Sequence, residues 1–322
     1  MQIHRVDYFK NYSPIAKLAS FCLILAITAH HSWEVHVFDF NGAYLNGKLE
    51  GDEETYMQQP PGYKTGSAEW VMKLLKALYG LKQAGRRWYN VLLCALKELG
   101  FTVSAANPGM FYAQLGKELL ILVMHVNDCA MTGSCAKLIL EYKAKLNSCY
   151  PLTDLGPVYW LLSIKVTCDI SVGTISLSQS TYINSIITCF ALTDAKLHNL
   201  PMIPSMSYSK DNSPSLQQDA ACMHKVPYHK AVGSLMYASI ATHPDITFAV
   251  STLSQFLENT GEAYREAMKC IFQYLSGIQH YALTYGGERH NLVGYMDADG
   301  ALQDHHWAIS GHAFLIDGGT IS

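Results

Sequence analysis

A chain of 322 residues that is 49% hydrophobic and 15% charged can bury more than one core, which points to two or three compact subdomains. Its net charge of −3 excludes a protein that grips a phosphate backbone over its whole surface, because such affinity rests on Lys and Arg displacing counterions; any nucleic-acid face is a local patch. Nine cysteines, odd in number and without a C-x-x-C pair, point to free thiols in a reducing compartment and argue against zinc, which leaves His305, His306 and His312 as solvated loop histidines.

Residues Met1 to Tyr12 are mixed and polar, unlike a signal peptide. The longest apolar run, Leu18 to Ala29, falls short of the about twenty residues that a bilayer span needs, so no membrane association is expected. With Ser13 as cap and Pro14 in the first turn, that run reads as a helix from about Pro14 to His30, packed beneath the strand that follows. Trp33 to Phe40 alternates into this strand, and its far end carries Asp39. Gly51 to Gly66, with Pro60 and Pro61, is a loop. Lys73, Lys76, Lys82, Arg86 and Arg87 then cluster with Tyr79, Trp88 and Tyr89. This mixture suits phosphates and stacked bases, and it equally describes a solvated helix face with Trp88 in the core. A helix from about Arg87 to Leu99 is stopped by Gly100.

Leu119 to Met124, then Asn127-Asp128, then a return through Ala130 and Met131 to Gly133 read as two buried strands joined by a tight polar turn. By itself Asn-Asp is simply a good turn pair. Asp39, however, ends an earlier strand of the same construction, and carboxylates at two strand ends are what a metal-dependent nucleotidyl transferase presents into a cleft. Further on come a helix from Leu138 to Asn147, a hairpin from Val158 to Ser178 turning near Asp169 to Gly173, and a helix from Tyr182 to Phe190. Pro201 to Gln218 is a Ser- and Pro-rich linker. Helices follow at Tyr228 to Ala241, Asp245 to Phe256 and Glu262 to Ile278, and strands at Leu292 to Asp297, Ile309 to Ile316 and from Thr320.

Several motifs stand in order along nearly the whole chain: Asp39-Phe40-Asn41-Gly42-Ala43-Tyr44-Leu45-Asn46-Gly47, Tyr56 to Tyr63, Leu78 to Tyr89, His125-Val126-Asn127-Asp128, Leu152-Thr153-Asp154-Leu155-Gly156, Gly233 to Ala238, Pro244-Asp245-Ile246 and Asp297-Ala298-Asp299. Together they resemble the reverse transcriptase of copia-type (Ty/copia) LTR retrotransposons. The family's Tyr-Val-Asp-Asp differs at two of four residues here, with His125 and Asn127 in place of Tyr and Asp.

The resemblance implies an α+β fold. A palm of three or four antiparallel strands packed on helices would cover residues 1–150, with most of the fingers missing. The end of the palm, the thumb and the linker would cover 151–226, a mainly helical connection 227–290, and a truncated ribonuclease H-like hairpin 291–322. It further implies RNA-directed DNA polymerisation at Asp39 and Asp128, which would hold two Mg²⁺, weakly because Asn127 is a degenerate catalytic position. Lys82, Gln83 and Arg86 would meet the incoming nucleotide, and Asp297 would be the ribonuclease H remnant. Tyr44 is either a filter beneath the nucleotide sugar or a core tyrosine. Implied partners are an RNA or DNA template-primer and dNTPs, in an intracellular setting, cytoplasmic or nuclear. Asn127, together with His243, Gln255, Cys270 and Gln273 where the family has Arg, fits cytosine-to-thymine decay of a transposon copy. The expectation is an impaired polymerase; the alternatives are a nucleic-acid-binding remnant or a decaying reading frame.

Overall fold

A computed structural model describes residues 2–3, 5, 7–49, 54–67, 69–203, 208–215, 223, 226–287, 291–299 and 309–322. The chain divides into two compact units, Met1–Ile24 with Trp33–Val158 and Leu25–Ser32 with Tyr159–Ser322.

The first unit is built on a six-stranded antiparallel sheet. Its strands are β1 (Glu34–Phe40), β4 (Thr102–Val103), β5 (Met110–Leu115), β6 (Glu118–His125), β7 (Asp128–Gly133) and β8 (Leu152–Pro157), in the order β4-β5-β6-β7-β1-β8. A separate ribbon pairs β2 (Tyr56–Gln58) with β3 (Val71–Lys73). Alternation puts Phe38 and Phe40 of β1 on one face, where they join Leu120, Leu122 and Met124 of β6 and Met131 of β7. Onto this cluster pack Trp88, Leu92 and Leu96 from α2 (Ala84–Glu98) and Ile139, Tyr142 and Leu146 from α3 (Ala136–Cys149), at the four- and three-residue spacings of one helix face.

The sheet is wider than the expected three or four strands. Periodicity cannot report a two-residue β4, and β8 is an edge strand with a glycine, a terminal proline and mostly exposed side chains. The first helix, α1 (Leu18–His31), starts later than Pro14. The preceding residues are outside any helix, with the Ala16 amide donating to the Met124 carbonyl at 3.1 Å. Gly109 makes room for them, since a Cβ there would stand 2.5 Å from the Ala16 nitrogen.

In the second unit a four-stranded antiparallel sheet runs β12-β11-β10-β9, from β9 (Trp160–Leu161), β10 (Ile164–Asp169), β11 (Thr174–Ser178) and β12 (Leu283–Gly286). Its helices are α4 (Ser180–Cys189), α5 (Tyr228–Ala241), α6 (Thr247–Ser254) and α7 (Glu262–Ile278); α6 is preceded by a 3₁₀ turn at Pro244–Ile246 where one longer helix was expected. Ile183, Ile187, Leu235, Leu253, Ile271 and Phe272 form their common core. A three-stranded antiparallel sheet, β13 (Val293–Asp299), β14 (Ile309–Ile316) and β15 (Gly319–Thr320), ends the chain.

His312 sits exposed on β14 rather than in a loop, because it continues that strand's pairing opposite Met296; His305 and His306 lie outside the described residues. So does much of the Pro201–Gln218 linker, namely 204–207 and 216–218. Among the described residues Cys94, Cys129, Cys135, Cys149, Cys168, Cys189 and Cys270 are free thiols, and Cys222 is outside the described residues. Among the described residues no helix is long and apolar enough to cross a membrane.

Candidate functional site

β1 and β7 pair so that Asp39 stands directly opposite Asp128, with Phe38 opposite Cys129. Asp39 leaves the face opposite to Phe38 and Phe40, so the strand that anchors itself in the core aims the carboxylate away from it. Asp39 is half-buried and Asp128 exposed.

β6 and β7 close through a two-residue turn, Val126-Asn127, between the paired His125 and Asp128. The left-handed backbone falls on Val126, at φ 64°, and not on the Asn-Asp pair, which had looked the better suited to it. A β-branched residue there is strained by roughly 1–3 kcal/mol and persists only where its surroundings impose it. They do so here. The Trp88 indole N–H donates to the Val126 carbonyl at 2.8 Å, and the Phe40 amide donates to the Asn127 carbonyl at 3.1 Å. Trp88 is itself wedged between the rings of Phe40, at 5.1 Å, and Tyr150, at 5.6 Å.

Within this fixed turn the Asn127 side-chain amide donates to Asp39 Oδ1. Burial and the facing Asp128 charge raise the Asp39 carboxyl above the ordinary carboxylate value, and the Asn127 hydrogen bond partly offsets them. Burial, then the charges of Asp128 and Asp39, push the Cys129 thiol far up, so it remains an inert thiol. Among the described residues there is no group of three or more His, Cys, Asp or Glu that could hold a metal. The tip offers two carboxylates and one amide.

Tyr44 lies on the 3₁₀ turn Ala43–Asn46, entered through Gly42 at φ 58°, and is half-buried with its ring 4.9 Å from that of the exposed Tyr79. Gly47 ends this turn against α2, where a Cβ would come within 2.9 Å of Arg87 Cβ. Gln83 is fully buried: it donates to the Asp7 carbonyl at 3.1 Å and to Thr55 Oγ1 at 3.4 Å, and accepts from the Gln2 amide at 3.0 Å. Lys82 is exposed, and its backbone amide donates to Gln2 Oε1. Arg86 is half-buried.

The basic-aromatic cluster thus divides. Trp88 and Tyr89 are core residues, the Tyr89 hydroxyl donating to the Pro108 carbonyl at 3.0 Å; Lys73 is paired with Glu54; Lys76, Lys82 and Tyr79 face solvent. In the second unit Asp297 is exposed on β13 opposite Gly311.

Sequence reading missed a polar network beside the site. Lys143 of α3, 3% exposed, donates to Asp154 of β8 at 2.5 Å and lies 3.0 Å from His36 Nδ1, while His36 Nε2 lies 3.1 Å from Glu34. It ties β8 to β1 next to Asp39, and Thr153 adds a hydrogen bond to Asn41 at 2.8 Å. The one available signal was Lys143 itself, a charge on the apolar stripe of α3 between Ile139 and Leu146. In the second unit Asp245 similarly gathers the buried His243, at 3.7 Å, and the Tyr274 hydroxyl, at 2.6 Å.

The family profile described as reverse transcriptase (RNA-dependent DNA polymerase) matches residues 1–204. Over 98% of its length the chain is 36% identical to the retrovirus-related Pol polyprotein from transposon TNT 1-94 of Nicotiana tabacum, and over 92% it is 33% identical to that from transposon RE1 of Arabidopsis thaliana. It spans only 24% and 20% of the length of those two polyproteins. Against a Ty5-1 transposon protein of Saccharomyces cerevisiae it is 28% identical over 88% of its length, covering 90% of that protein. With that profile covering residues 1–204 and these transposon proteins matched over most of its length, the chain belongs to the copia-type reverse transcriptase family.

Proposed function

We propose that this chain is the core of a retrotransposon RNA-directed DNA polymerase whose polymerase site is disarmed in this copy. The observation that carries the reading is the tip itself: Asp39 and Asp128 are held opposite one another at strand ends, and an amide at 127 is bound to one of them. Residues 1–150, which carry α2, α3 and every strand of the six-stranded sheet except β8, are the palm. Residues 151–226 complete the palm and form the thumb and linker, 227–290 the helical connection, and 291–322 the opening hairpin of a ribonuclease H-like fold, with Asp297 at its first carboxylate position.

Mg²⁺ is the cofactor this reading implies. Mg²⁺ commonly takes one or two carboxylates along with substrate phosphates, so Asp39 and Asp128 fit one ion. They do not fit two, because a neutral amide oxygen cannot offset a second divalent charge. When bound, that ion would neutralise the triphosphate, while the second ion, which would lower the pKa of the primer 3′-hydroxyl, is the one left poorly held. The chain's own residues bind and position: Lys82 and Arg86 meet phosphates, and Tyr44, half-buried beside Tyr79, offers a ring edge to the nucleotide sugar. Gln83 contributes to the nucleotide only if the Gln2 and Asp7 segment releases it. Substrates are a template-primer and dNTPs, in an intracellular setting.

The neutral Asn127 amide in place of a carboxylate also favours a second reading, a remnant that binds nucleic acid without extending it. Fluorescence anisotropy with a labelled RNA–DNA primer-template, titrated with salt, tests the shared part. Binding that weakens with salt, with a slope reduced in Lys82→Ala and Arg86→Ala, supports both readings, and salt-independent or absent binding refutes both. Primer extension then separates them.

A further inference from the structure

We infer that the Asn127 carboxamide takes the place of a cation in this chain, holding Asp39 beside Asp128 without metal and competing with any divalent ion for the Asp39 carboxylate. This rests on the palm reading of the Asp39–Asp128 pair given above.

Positions directly opposite on antiparallel strands bring Cα atoms to about 4.5–5.5 Å, and like charges so placed repel. Asp39 and Asp128 are such a pair. A metal ion would relieve that repulsion. Here an N–H dipole does so: Asn127 donates to Asp39 Oδ1 from a turn whose two carbonyls are pinned by Trp88 and Phe40. The pinning matters, because a freely moving amide would make way for an ion at little cost, whereas this one is delivered to the carboxylate by the fold. A cation must displace a charge-assisted hydrogen bond or make the amide turn over, which strands its N–H group. Either route weakens divalent binding by about ten- to a hundredfold relative to the two carboxylates alone. Asn127 is therefore more than a missing ligand. It is an occupant of the site.

The two ideas differ in what alanine does. If Asn127 is only a poor ligand, Asn127→Ala binds metal no better than the unsubstituted chain. If it is a competitor, Asn127→Ala binds better. The experiment is an electron paramagnetic resonance titration of Mn²⁺ with Mg²⁺ competition on the full chain, Asn127→Ala, Asn127→Asp and Asp39→Asn, with thermal unfolding of each in the presence and absence of Mn²⁺ and circular dichroism to confirm matching folds. The expected result is Mn²⁺ affinity rising about tenfold or more from the unsubstituted chain to Asn127→Ala and again to Asn127→Asp, with both variants melting lower than the unsubstituted chain without metal and gaining more from Mn²⁺. A gain in Asn127→Asp with none in Asn127→Ala overturns this proposal and leaves the palm reading standing. No gain in either variant overturns both.

Discussion

Replacing Trp88 by Phe tests how the tip is held. The indole N–H is the donor to the Val126 carbonyl at 2.8 Å, and the side chain is 1% exposed between Phe40 and Tyr150. Phe keeps an aromatic ring but cannot donate. Orphaning a partly buried acceptor costs about 1–2 kcal/mol, and the smaller ring leaves a void worth about 1 kcal/mol more, for a total of roughly 2–3 kcal/mol. At a usual urea dependence this lowers the unfolding midpoint by about 1 M. Urea titration followed by circular dichroism measures it. Hydrogen exchange at the Phe40 amide, bonded to the Asn127 carbonyl, reports whether the turn itself loosens. A midpoint shift below about 0.3 M, or a shift without faster exchange at Phe40, would refute the claim that Trp88 pins the turn.

Other consequences follow from the same unit. Asp154→Asn leaves the buried Lys143 ammonium with neutral acceptors only; a fully buried pair would lose about 3–5 kcal/mol, and because the Asp154 side chain is 48% exposed the expected loss is about 1–3 kcal/mol by urea unfolding, whereas Lys143→Met should be near neutral. Burial works to raise the Asp154 carboxyl, but the Lys143 and Gly156 hydrogen bonds and the nearby positive charge outweigh it and hold the folded value below the ordinary one. Its stabilisation is therefore complete above the unfolded pKa of about 3.9 and disappears as pH falls through the lower folded value, so the acid limb of a stability–pH curve should be shallower in Asp154→Asn. Val126→Gly relieves the left-handed strain at φ 64° and should raise stability by about 1 kcal/mol; a loss instead would mean that the Val126 side chain contributes more through packing than its backbone costs.

What could be read from the chain beforehand follows the physics of each element. β1, β6 and β7 were legible because alternation and apolar runs mark strands buried on a core, and α7 was legible from end to end because its apolar stripe is unbroken. The strand β8 was not, since an edge strand exposed along most of its length carries no burial pattern, and only the start of α1 was placed too early, because residues ahead of it are recruited by β6 instead of by their own helix signals. At the site, the placement of carboxylates at two strand ends was readable from construction, whereas their acting together was implied only by the family resemblance and their direct opposition came from the strand register. The backbone angle at Val126, the burial of Gln83 under Gln2 and Asp7, and the Lys143 network were not, because each depends on residues far apart in sequence meeting in space. Trp88 shows the limit most clearly: local composition places it in a basic, stacking cluster, and long-range packing makes it the donor that fixes the turn.

Extension of a primed RNA template with Mg²⁺ and dNTPs measures the central claim directly, using the unsubstituted chain, Asp39→Asn and Asn127→Asp side by side. Loss of one tip carboxylate removes several kcal/mol of transition-state stabilisation, on the order of a thousandfold or more in rate, so the unsubstituted chain should show no incorporation above the Asp39→Asn background. Mg²⁺-dependent incorporation by the unsubstituted chain that Asp39→Asn abolishes would contradict the account.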